Sequence, residues 1–292
     1  MSQEATTANP GDEIVVAMST SFYPGSYSFP SDIIFASTDN VLFYVHSRVI
    51  AQSEETAFLP YLHHPQNAYD REHNIVAIPE GSTTLSIILH TLYGSSSAPN
   101  SPNFMTLSAA VDRMPVYGIT PKRHILPGTH LFNQLMMYAP LQAIYVYALA
   151  AHHGLAEVAM KTSSHLLGFN LSTIDDDIAQ KIGPTYLKRL FLLHLRRTET
   201  LKKLLSQAPH PHAPKKDCTF EDQKKFNRAW VLTTAYLLFE GRPDLSTHRI
   251  QVAFDSLTNA LVSNSGCRDC LGTANAKIRE IIVNWASVKC TI

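Results

Sequence analysis

The period of the apolar residues changes partway along this chain, and that change limits the folds open to it. Up to about residue 117 the apolar runs are short and rich in β-branched and aromatic residues, while beyond it they recur at helical spacing. Asp32-Ile33-Ile34-Phe35-Ala36-Ser37 and Val41-Leu42-Phe43-Tyr44-Val45 flank the turn composition Thr38-Asp39-Asn40, and together they read as a hairpin. Short helical stretches are expected around Arg48 to Gln52 and Glu54 to Leu62. Ile75-Val76-Ala77-Ile78 reads as a third strand, ended by Pro79. A helix should begin near Ser82, because Leu85, Ile88, Leu89 and Leu92 make one apolar stripe, and another should run from about Phe104 to Tyr117.

From there only the helical period remains. Leu141, Ile144, Tyr145, Ala148 and Leu149 form one stripe, and Leu155, Val158, Ala159 and Leu166 the next. A long helix is expected from Pro184 to Gln207, stopped by Pro209 and Pro211. Phe226, Ala229, Trp230, Thr233 and Leu237 mark a further helix. Ile250, Phe254, Leu257 and Leu261 mark another, and Ile278, Ile281, Ile282 and Trp285 the last. The fold class that follows is α+β, a short sheet with clustered helices, followed by an all-helical domain. A chain of 292 residues is long for one core. The expected division is an irregular segment over 1–29, an α+β domain over 30–117, a connection over 118–129 and a helical domain over 130–292. The connection is read from the two Pro and two Gly of Gly118 to Thr129.

Lys+Arg and Asp+Glu balance at 24 each, so no global field attracts nucleic acid or an acidic membrane. The pairs Lys202-Lys203, Lys215-Lys216 and Lys224-Lys225 lack aromatic interleaving and read as solvated faces. Met1 to Glu13 is polar, without a basic stretch leading into an apolar core, and reads as a disordered tail. No run reaches the roughly 18 apolar residues of a membrane helix. The four cysteines, Cys218, Cys267, Cys270 and Cys290, all fall in the last third, against a disulfide framework and for a reducing, intracellular compartment, cytoplasm or nucleus.

Cys267-Arg268-Asp269-Cys270 precedes a helix, and two thiolates at this spacing can bind one tetrahedral Zn²⁺ from a tight turn. Cys218 and one of His210 or His212 complete the candidate set, with His212 preferred, and an ion there would be structural. The same cysteines also read as unpaired thiols at an element boundary. Thioredoxin-like chemistry would need a surrounding βαβ pattern, which is missing. Asp175-Asp176-Asp177 reads as a helix cap, and His194, Trp230 and Trp285 as core residues on their stripes. No Gly-rich phosphate loop and no Gly-x-Ser-x-Gly elbow occurs, so no catalytic and no cofactor-binding residue is expected.

Several stretches, taken in order, resemble BTB/POZ proteins of a fungal group with a helical extension. Asp32-Ile33-Ile34-Phe35 and Phe43-Tyr44-Val45-His46 resemble the opening strand pair that leads through a His into a short helix. Leu89-His90-Thr91-Leu92-Tyr93-Gly94 resembles the helix that packs a Leu and a Tyr. Tyr145-Val146-Tyr147-Ala148-Leu149-Ala150-Ala151, Ile182-Gly183-Pro184-Thr185-Tyr186-Leu187, Arg242-Pro243-Asp244-Leu245-Ser246 and the ending Trp285 to Ile292 carry the likeness onward, over about residues 30–292. The resemblance implies a non-enzymatic protein–protein interaction module. Its partner would be a second copy, as a homodimer, or another protein such as a cullin scaffold in a ubiquitin-ligase adaptor. The alternative is a transcription- or chromatin-linked regulator. Ser53 and Phe58 stand further apart than the Ser-x-x-Phe step of many such domains, which weakens the expectation of the usual dimer surface.

Overall fold

The structure is a computed structural model that describes residues 16–62, 75–264 and 267–292, with the backbone alone for 257–264. The expected tail at Met1 to Glu13, the pair His63-His64 and the side chains of Leu257 and Leu261 lie outside the described residues. The chain is mixed α/β, mostly helical with one small sheet, and it divides into two compact units. The first comprises 1–138 with 153–155, and the second 139–152 with 156–292.

In the first unit, β1 (Ala17–Met18), β2 (Ile33–Ala36), β3 (Val41–Val45) and β4 (Ile75–Ala77) form a sheet of order β1-β3-β2-β4. The hairpin β2–β3 is antiparallel, and β1 and β4 add in parallel on either side. Asn40 takes the left-handed conformation (φ 58°) that Asn tolerates in such a tight turn. Phe35 and Phe43 project from the hairpin into the core with Phe22, Phe58 and Tyr117, each at most 1% exposed. Helix α1 (Ser47–Ser53) follows the hairpin and α2 (Leu59–Leu62) is a single turn, so the expected helix from Glu54 is real only at its end. Helix α3 (Ser82–Leu92) buries Leu85, Ile88, Leu89 and Leu92, the stripe expected from its spacing. Helix α4 (Phe104–Arg113) is capped by Asn103, which accepts from the Thr106 N–H at 2.9 Å, and it passes into a 3-10 turn ending at Tyr117.

Two segments differ from expectation. Residues 16–29 are irregular except for β1, yet they contribute Phe22, fully buried and packed edge-on to Tyr93 at 5.1 Å. Residues 118–129 do not behave as a connection. They hold helix α5 (Pro121–His124) and bury Ile119 and Ile125. Buried Glu54 accepts from Arg123 Nη1 at 2.6 Å and pairs with His124 Nε2 at 3.1 Å. Gly118 is required where it stands, because its φ of 72° is left-handed and a Cβ there would meet the Thr56 carbonyl oxygen at 2.4 Å. Helix α6 (His130–Tyr138) ends the unit.

The second unit holds α7 (Ala143–His152), α8 (Ala156–Ser163), α9 (Asp176–Leu205), α10 (Phe220–Phe239), α11 (Thr247–Asn264) and α12 (Arg268–Ala286). Helix α9 is two helical stretches that meet at a kink, and the longer one begins at the expected Pro184. Asp175 caps the shorter one by accepting from Ile178 N–H at 2.7 Å, and Gly183 (φ 73°) breaks α9 just before Pro184. Asp176 and Asp177 lie in its positive first turn. Helix α10 opens on a capping box, Thr219 with Asp222. An apolar cluster of Leu201, Leu205, Phe226, Trp230, Leu237, Ile250, Phe254, Ile278, Ile281 and Trp285 joins α9 to α12. Trp230 packs at a tilt against Phe254 with ring centroids 4.4 Å apart, and Trp285 donates Nε1–H to Leu245 O at 2.7 Å. Arg197, 7% exposed, lies 4.3 Å over the Trp285 ring and donates to the carbonyls of Pro243, Val288 and Lys289. His194 sits on the stripe as expected, but it is not fully satisfied: its Nε2 has no hydrogen-bond partner, and burial holds its pKa below the usual value.

Leu89 is fully buried on α3, so Leu89→Ala should cost about 2–5 kcal/mol in chemical denaturation. A variant as stable as the parent would show that this face does not carry the core of the first unit.

Candidate metal centre

The stretch between α9 and α10 contains no helix and only one isolated bridge, between Lys215 and Cys218. Pro209, Pro211 and Pro214 keep it from continuing α9. Lys215 N–H donates to Cys218 O at 2.9 Å and Cys218 N–H to Lys215 O at 3.1 Å, so Cys218 closes a tight turn. At the far end of the unit, Cys267 is the N-cap of α12 and Cys270 is its third helical residue. The Cys-x-x-Cys spacing is therefore the spacing of a capping box, which brings the first and fourth side chains to the same helix end.

These segments meet. One ligand atom each from His212, Cys218, Cys267 and Cys270 lies within 4.8 Å of all the others. Cys218 Sγ is 3.7 Å from Cys270 Sγ, and His212 Nε2 is 3.2 Å from both Cys267 Sγ and Cys270 Sγ. Two sulfurs on a tetrahedral Zn²⁺ with ~2.3 Å bonds lie about 3.8 Å apart, and a sulfur and an imidazole nitrogen about 3.5 Å. These three distances match that geometry to within a few tenths of an ångström. His212 Nδ1–H donates to Ala213 O at 2.7 Å, which fixes the tautomer and leaves the Nε2 lone pair facing the sulfurs. Gln223 of α10 donates Nε2–H to His212 O at 3.0 Å and holds the loop from behind.

The electrostatics fit a cation. Cys267 has a pKa lowered to about 7, first because the Cys270 backbone N–H donates to its sulfur at the helix start. Cys270 is pushed up to about 12 by burial and by the neighbouring sulfurs, and burial raises Cys218 as well. Three such thiols cannot all ionise side by side unless a positive ion lies among them. The His/Cys cluster can thus hold a metal ion such as zinc, with all four tetrahedral positions filled by protein and none open to water.

The other candidates fall elsewhere. His210 is exposed and outside the cluster, and Cys290 is exposed near the C-terminus. Lys215 pairs with Asp269, while Lys224 and Lys225 face Glu221 and Asp222 at 3.8 and 3.6 Å. In the first unit, His46 is 3% exposed at the junction of β3 and α1. Tyr93 at the end of α3 accepts from the His46 backbone N–H at 2.7 Å and lies 3.0 Å from its Nδ1, and His46 Nε2 lies 3.1 Å from Phe29 O. Burial raises the Tyr93 pKa, so it stays a neutral phenol able to donate to Nδ1. The sequence named His46 and Tyr93 separately but gave no sign that they bond to each other. Gln223, too, was missed, because nothing in its local pattern marks a loop partner 11 residues away.

No family model matches this chain, and neither does any curated protein or solved structure. Among the described residues, no helix is long and apolar enough to cross a membrane.

Co²⁺ added to the metal-free chain should give the intense thiolate-to-cobalt absorption of a sulfur-rich tetrahedral site, saturating at one equivalent and displaced by Zn²⁺. A weak octahedral spectrum would show that the four side chains do not close on one ion. Cys290→Ser should leave the titration unchanged.

Proposed function

We propose that this chain is a non-enzymatic protein-interaction module of the BTB/POZ type, whose helical unit is closed by a structural Zn²⁺ on His212, Cys218, Cys267 and Cys270. The observation that carries the reading is the His46–Tyr93 junction. The resemblance places a His between the strand pair and the short helix, and a Tyr at the end of the later helix. Here those two side chains bond to each other and join β3, α1 and α3. The hairpin followed by α1 supports the reading, because the resemblance implies a strand pair that leads through a His into a short helix. In the helical unit the zinc would tie the Pro-rich connection to the start of α12. Four protein ligands suit a folding role and leave no site for a bound hydroxide.

A narrower form of the proposal is a ubiquitin-ligase adaptor, with the first unit on a cullin and the helical unit holding a substrate, working in the cytoplasm or nucleus. A DNA-linked regulator draws less support, because Lys215, Lys224 and Lys225 each face a carboxylate and the net charge is zero.

Light scattering after gel filtration should give a mass above that of one chain, or native pull-down should recover a stoichiometric partner. A strict monomer with no partner at micromolar concentration sinks the interaction reading. Independently, a strong chelator should lower the melting midpoint of the helical unit by on the order of 10 °C, the effect of losing a few kcal/mol in a unit of this size. An unchanged midpoint in a chain shown to carry zinc would remove the structural role.

A further inference from the structure

The sulfurs of the centre differ in reach and in restraint. Cys218 is 2% exposed and Cys267 is 8% exposed, whereas Cys270 is only partly buried, the most exposed residue of the three. Cys267 is the N-cap of α12, where the backbone continues directly into the helix. Cys218 instead sits on the short turn Lys215–Cys218, in a stretch with little other regular structure, and its sulfur touches that of Cys270 at 3.7 Å. A disulfide needs about 2.0 Å. The difference, a little under 2 Å, is a small displacement for a loop turn.

We infer that the centre is a peroxide-responsive zinc switch, in which a hydroperoxide oxidises Cys270, Cys218 closes a disulfide onto it, and Zn²⁺ leaves. This rests on the zinc reading above. The Cys270 thiolate attacks the peroxide oxygen, the O–O bond breaks, and a sulfenic acid forms with loss of hydroxide. The Cys218 sulfur then attacks the Cys270 sulfur, the S–S bond forms, and the S–O bond breaks with loss of a second hydroxide, which protonates to water. Two thiolates give up two electrons and hydrogen peroxide takes them, ending as two waters. The ion is left with His212 and Cys267, too few to keep a closed tetrahedral site.

The outcome is not simple unfolding. Cys218 and Cys270 belong to the two segments that the metal joins, so the disulfide replaces one cross-link by another between the same places. What comes free is His212 and the Pro-rich run before it. That run borders a groove of about 510 Å³ lined by Gln207, His210, Thr273, Lys277 and Glu280. Release of His212 therefore opens one wall of the groove while the apolar cluster of α9 to α12 stays packed.

The test uses the full chain carrying zinc and Cys290→Ser, which removes the exposed competing thiol. Hydrogen peroxide is added in steps, zinc is read with a chromogenic chelator, and disulfides are mapped by non-reducing peptide mass spectrometry. Hydrogen exchange follows residues 207–214 against α10 and α12. The expected result is stoichiometric zinc release together with a Cys218–Cys270 bridge. Faster exchange should be confined to 207–214, and a dithiol with added Zn²⁺ should reverse it. Cys218→His keeps four donors and removes the resolving thiol, so it should bind zinc and, under peroxide, accumulate a Cys270 sulfenic acid that dimedone labels. Zinc retained under peroxide that fully oxidises a free-thiol peptide overturns the switch and leaves the zinc reading standing, and so does release with a Cys267–Cys270 bridge. A chain grown with ample zinc that contains none overturns both.

Discussion

Three thiols and an imidazole share one small volume at the start of α12, and the order of the second unit turns on how that crowding is resolved. Sulfur contacts of this length are attractive when the thiolates face a common cation and repulsive when they face one another. The apolar cluster joining α9 to α12 supplies most of the unit's burial, but none of it reaches into the connection that carries His212 and Cys218. That connection has three prolines and almost no ladder hydrogen bonds, so beyond the cluster it is held chiefly by Gln223 on His212 and by the Lys215–Asp269 pair. An ion that binds four side chains from two distant segments acts on the free energy of the folded unit directly, because the site does not exist in the unfolded chain.

The first unit solves the corresponding problem with buried polar pairs. Glu54 is met by Arg123 and His124, Glu80 by Arg113 and by the Tyr117 hydroxyl at 2.7 Å, and His46 by Tyr93 and Phe29. Each ties a loop or short helix to the body around the small sheet. Such pairs add little net energy, but removing one partner strands a buried polar group. They specify one arrangement of short elements that local propensity would leave open.

What could be read from the residues follows the same division. The hairpin, α3 and the helices of the second unit announce themselves by period, because each buries a continuous face. Strand β1 does not, because it has only two residues and both are exposed. Composition pointed to a connection at 118–129. Its attachment depends on Glu54, some 70 residues away, and on two buried isoleucines that carry no periodic signal. The long helix begins at the expected Pro184, since a proline is a good first residue, and Gly183 separates it from a shorter helical stretch that starts at Asp176. Of the metal ligands, the Cys-x-x-Cys pair was legible from spacing. The turn of the Pro-rich run brings His212, the histidine already preferred, to the cysteines and leaves His210 exposed.

The order of the four ligands has a consequence for synthesis. His212 and Cys218 leave the ribosome first, and Cys267 and Cys270 follow about 50 to 60 residues later, after α10 and α11. Until then the nascent chain holds half of the candidate site, together with two helices whose apolar faces await α12. Closure of the cluster is a late event, gated by elongation. A pause in translation between Cys218 and Cys267 would lengthen the interval in which those faces stand exposed to chaperones or to one another.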